Sequence, residues 1–127
     1  MEYTLNVKRL RMKAVLDSID GGGGPGAIEL RNEDRVVLAT LVMTRPSFYQ
    51  VGADLVLCAP ATAFVAIEGQ AKIGTISDGS GTLVIDDMSV GVDVTQDGQH
   101  DFEIVLDTIN LELGKQVTIV TATIEHG

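Results

Sequence analysis

Six residues divide this chain: Gly21-Gly22-Gly23-Gly24-Pro25-Gly26. Four consecutive glycines lose too much backbone freedom to continue a helix, and Pro25 lacks the amide donor that regular structure needs. No helix or strand is expected to cross this run. The hydrophobic period differs on its two sides. Before it, Met12, Val15, Leu16 and Ile19 fall at i, i+3, i+4 and i+7, one apolar stripe of an α-helix. The spacing predicts a helix over residues 6–19, with Asn6 capping its start through a side-chain oxygen. After the run, short β-branched segments alternate with turn signals. The chain therefore reads as an N-terminal helix or arm (1–20), a Gly/Pro hinge (21–26) and a β-sandwich domain (27–127).

Strands are expected at Ala27–Arg31, Arg35–Met43, Asp54–Ala59, Ala63–Gly69, Ala71–Ser77, Thr82–Ile85, Val90–Val94, Phe102–Leu106 and Val117–Ile124. Turns fall at Asn32-Glu33-Asp34, Arg45-Pro46-Ser47, Gly69-Gln70, Asp78-Gly79, Asp97-Gly98 and Leu113-Gly114-Lys115. Short strands at this spacing indicate an all-β fold, here a jelly-roll-like antiparallel β-sandwich carrying the N-terminal helix. Strands and helices do not alternate, which disfavours a parallel α/β sheet. With 127 residues there is one domain, and with no Trp and three Phe its core must be built from Val, Ile, Leu and Ala.

The net charge of −9 is unevenly placed. Lys8, Arg9, Arg11 and Lys13 stand against Glu2 alone in the first thirteen residues, while the rest carries five basic residues against seventeen acids. An acidic body repels a polyanion, which argues against nucleic acid as a partner. A basic leading segment suits docking onto an acidic neighbour, a second copy included; the plainer alternative is a solvated helix face. The stretch Lys8, Arg9, Leu10, Arg11, Met12, Lys13, Val15, Leu16 and Ile19 is the candidate subunit-contact arm. No apolar run reaches transmembrane length, and the basic start leads into Asp17 and Asp20 rather than a secretory core. Synthesis in a cytoplasm without membrane anchoring is expected.

Candidates for chemistry are few. Nucleophilic catalysis needs a base beside the nucleophile. The histidines are His100, in a polar loop, and His126, next to the end. Cys58 is the single cysteine and lies in the apolar run Leu55-Val56-Leu57-Cys58-Ala59, so a buried structural thiol is expected. Asp86-Asp87 and Asp97…Asp101 are the best acidic clusters, but neither matches a calcium loop, and surface turn acids are the simpler reading. The glycine run lacks the Gly-Lys-Ser/Thr ending of a phosphate loop. No enzyme activity, metal or cofactor is expected.

Several segments taken in order resemble a known family. These are Arg9-Leu10-Arg11, Leu16-Asp17-Ser18-Ile19-Asp20, the Gly/Pro loop, Leu38-Ala39-Thr40-Leu41 and Arg45-Pro46-Ser47-Phe48. Thr62–Ile67, Gly69–Gly79, Phe102–Asp107 and Gly114–Ile119 continue the series. Together they resemble a group of small virion structural proteins of tailed bacteriophages. The chain departs from that group in lacking its Trp and in the charged segment Arg31-Asn32-Glu33-Asp34-Arg35. The resemblance implies a capsid decoration or cement protein located in the virion, binding the major capsid protein and itself, as in a homo-oligomer such as a trimer. It implies no catalytic residue. A small tail or baseplate protein is the alternative from the same family. A glycan- or calcium-binding β-sandwich module is the alternative from another class.

Overall fold

The computed structural model describes residues 3–92 and 102–125. Its elements in chain order are α1 (Leu5–Asp20), β1 (Ala27–Arg31), β2 (Val37–Val42), β3 (Phe48–Val51), β4 (Asp54–Leu57) and β5 (Ala61–Phe64). Then come β6 (Gly69–Gln70), β7 (Ile73–Ser77), β8 (Leu83–Val92), β9 (Ile104–Leu106), β10 (Asn110–Leu111) and β11 (Gln116–Ile124). The protein is mostly β with one N-terminal helix, as its patterning requires.

The helix runs from Leu5 to Asp20, one residue longer at each end than expected. Thr4, not Asn6, is the cap: its backbone is extended and its hydroxyl accepts from Val7 N at 3.4 Å. The stripe itself forms as expected. Met12 and Ile19 are 5% and 0% exposed, and Val15 and Leu16 pack beside them against the core. Burying two such side chains contributes roughly 1.5–3 kcal/mol each.

One curled sheet runs β2-β1-β7-β8-β9-β11-β4-β3, with β5 also paired to β11. β4 and β5 lie end to end along one edge of β11: Leu55 faces Ile124, and Ala61 faces Ile119. Cys58-Ala59-Pro60 loops out between them. The sheet curls until β2 meets the chain just after β5, where Ala66 N and Ile67 N donate to Leu38 O at 2.9 and 3.2 Å. Inward residues such as Ile28, Leu30, Leu41, Phe48, Leu55, Ile76, Ile104 and Ile119 fill the enclosed core. Strand β1 shows the logic in five residues: Ile28 and Leu30 point in, Glu29 and Arg31 point out.

The structure corrects several expectations. The sheet is mixed, because β8 and β9 pair in parallel, with Val90 opposite Ile104 and Val92 opposite Leu106. Thr82–Ile85 and Val90–Val94 are not two strands. β8 runs unbroken from Leu83 to Val92 and passes through Asp86-Asp87 as a bulge, with Asp87 at φ 54°. Val94 lies outside the described residues. Gly69-Gln70 is not simply a turn but pairs with β10. β3 and β10 were not expected at all. Cys58 is exposed, because the alternation that points Leu55 and Leu57 inward puts the next side chain outward as the strand ends.

The Gly/Pro run packs against the body at Gly22 and Gly26. A Cβ placed on Gly26 would lie 2.8 Å from Ile19 Cγ2 and 2.9 Å from Ser77 O. One on Gly22 would lie 2.7 Å from Gly79 N, and Gly79 in turn abuts the Gly24 backbone. The run is seated against the Asp78–Thr82 turn, which is itself fixed: Asp78 Oδ1 accepts from Ser80 N, Ser80 Oγ and Thr82 N. Gly22 and Gly26 stand where a side chain would collide with these neighbours.

Candidate functional site

α1 is clipped to the body at both ends. Near its start, Gln50 Nε2 donates to Arg9 O at 2.8 Å and Arg9 Nε donates to Gly52 O at 3.3 Å. At its end, Ser47 N donates to the Asp20 carboxylate at 3.3 Å, and the Arg45 guanidinium donates to Asp20 O. The Arg45 contact satisfies a carbonyl that the helix end leaves without an intrahelical donor. The helix therefore lies along β3, antiparallel to it, and packs on β4 and β8 as well.

This placement divides the candidate arm. Met12 and Ile19 are buried in the molecule's own core, and Val15 and Leu16 pack half-buried against it. Lys8, Arg9, Leu10, Arg11 and Lys13 stay on or near the surface. Lys13 pairs with Asp17 at 3.3 Å, both exposed, a contact worth little in water. Arg11 stacks over Tyr3, 4.5 Å from the ring centre.

A second stripe emerges on the opposite face. With about 3.6 residues per turn, Val7, Leu10 and Ala14 align away from the core. All three are exposed, Leu10 to 63%. Arg11 flanks this ridge on one side and Lys13 on the other. The sequence carried this signal in the 3-and-4 spacing of residues 7, 10 and 14, which the stronger core stripe overshadowed.

The charges on α1 oppose its own dipole. Its first turn has no acid and its last turn has no base, while cations crowd its first half and Asp17 and Asp20 its second. Lys8 in the first turn and Asp17 and Asp20 in the last are the charges so placed, each costing about 0.3–1 kcal/mol.

Beside the ridge, α1 and the sheet enclose an open groove of about 650 Å³. Met12, Val15, Val84, Ile85 and Ile124 give it an apolar floor, and Arg11 faces Glu103 and Glu125 across it. Glu103 is tied down: Ser89 N donates to its carboxylate at 3.0 Å.

At another part of the surface, the β1–β2 loop carries Glu33 and Asp34, and the β8 bulge carries Asp86 and Asp87. Arg35 joins the two segments. Its guanidinium donates to Asp87 at 2.8 Å and to Asp86 at 2.5 Å. Those bonds, with Asp87 foremost, raise the Arg35 pKa, and the bond from Arg35 holds the Asp86 carboxyl below its usual value. The two acids are thus engaged by a cation of the chain itself. Asn32 fixes the loop, accepting at Oδ1 from Asp34 N and Val36 N at 2.9 and 3.0 Å. Val36, next to Arg35 in the loop, is 41% exposed.

Among the described residues no group of three or more His, Cys, Asp or Glu has metal-binding geometry, and no helix is long and apolar enough to cross a membrane. His100, His126, Asp97 and Asp101 lie outside the described residues. The chain matches no protein-family model, no curated protein and no solved structure.

Proposed function

We propose that this chain is a structural assembly protein that packs against other protein subunits, and specifically a capsid decoration or cement protein of a tailed bacteriophage. The observation that carries the assembly reading is the Val7–Leu10–Ala14 ridge. It is apolar, exposed, flanked by cations and mounted on a helix fixed at both ends. A contact surface held rigid in advance loses less entropy on binding than a free arm. The exposed Tyr49, Val51, Phe64 and Val120, all on strands of the β3–β4–β5–β11 region, offer further apolar contact area.

The virion placement rests on the family resemblance given above, with the major capsid protein as the partner it implies. The jelly-roll description belongs to the same proposal; its antiparallel pairs support it, and the parallel β8–β9 pair departs from it.

Quantifying the chain by mass spectrometry in purified virions, with heads and tails separated, tests this reading. Many copies per head are expected. A few copies confined to tails would shift the assignment to a tail component, and absence from particles would overturn the virion role.

A further inference from the structure

We infer that the ridge on α1 docks onto the acidic loop–bulge surface of a second copy of this chain, in a head-to-tail contact. The inference rests on the reading above that the ridge is a docking face, and it names the partner. The two surfaces are complementary in charge and in layout. The ridge has an apolar line, Val7-Leu10-Ala14, between Arg11 and Lys13. The opposing surface has exposed Glu33, Asp34 and Val36 on the β1–β2 loop, beside Asp86 and Asp87, which Arg35 engages. Both surfaces are held rigid, one by the clips at Arg9 and Asp20, the other by the Asn32 and Arg35 bonds.

Pairing ridge to ridge instead would set the cations of two copies against each other. A head-to-tail contact avoids this, and it closes into a ring or propagates, depending on the rotation between copies.

A charge swap tests the inference on the full chain, with sedimentation velocity as the readout. At about 0.1 M salt, where screening acts over about 10 Å, the wild-type protein is expected to sediment as an oligomer. At about 1 M salt, where that length falls to about 3 Å, it is expected to dissociate. Arg11→Glu with Lys13→Glu removes association, and so does Glu33→Lys with Asp34→Lys. The chain carrying all four substitutions regains it, because both sides are reversed together. All of these positions are exposed, and circular dichroism confirms that each variant remains folded. A wild-type protein that stays a 13.5 kDa monomer at high concentration and low salt overturns the inference. So does a fourfold variant that fails to reassociate. If the monomer nonetheless adds to phage heads, the broader assembly reading survives and the partner is another protein.

Discussion

Ile19 and Gly26 are in contact across the end of α1, close enough that a Cβ on Gly26 would lie 2.8 Å from Ile19 Cγ2. This contact joins the helix to the sheet that follows it. It also explains why a glycine stands here: Gly26 is buried, and Ser77 O leaves no space on its other flank. Gly26→Ala should destabilise the protein by about 1–3 kcal/mol through overpacking. Urea unfolding with an unchanged m-value would measure it.

Ile19 is fully buried, so Ile19→Ala should cost about 2–5 kcal/mol. Leu10→Ala, on the other face of the same helix, should change stability by less than about 0.5 kcal/mol. Equal effects at the two positions would contradict the assignment of inner and outer faces. Deleting residues 1–20 removes Met12 and Ile19 from the core together, and the shortened chain should lose cooperative thermal unfolding.

Arg35 holds the β1–β2 loop to the β8 bulge. Its bond keeps the Asp86 carboxyl below its ordinary value, so the contribution is present above the unfolded carboxylate range near pH 4 and is lost as pH falls through the lower folded value. Arg35→Ala should therefore be less stable than wild type at neutral pH, and the two should converge in acid. Arg35→Lys should not restore the difference fully, because an ammonium lacks the planar fork that reaches both acids. Thermal melts across pH 2–7 provide the comparison.

Cys58 should react with a thiol reagent in the native protein without denaturant, because its side chain is exposed where β4 ends. Labelling only after unfolding would place the thiol in the core instead.

Local pattern alone located some elements well. β1 follows its alternation from Ala27 to Arg31, and the stripe from Met12 to Ile19 marks the buried face of α1. What escaped the sequence depends on contacts between distant residues. Asp86-Asp87 resembles a turn until Arg35, about fifty positions earlier, ties both acids into a bulged strand. Four glycines resemble a hinge until the Asp78–Thr82 turn packs against them. Phe48–Val51 is a short strand directly after a proline break, with Gln50 interrupting its apolar character, and only β4 and α1 reveal its place. Cys58 sits in an apolar run, yet the alternation along β4 turns it outward. The candidate site was half legible: the cations were plain, but the division of α1 into a core face and an outer ridge required the sheet it rests on.

Native-state hydrogen exchange across α1 tests most directly whether the helix is a fixed wall of the body. Amides from Met12 to Ile19 should exchange as slowly as those of β1 and β7, opening only with global unfolding. Exchange of that stretch near free-chain rates, while the sheet stays protected, would contradict it.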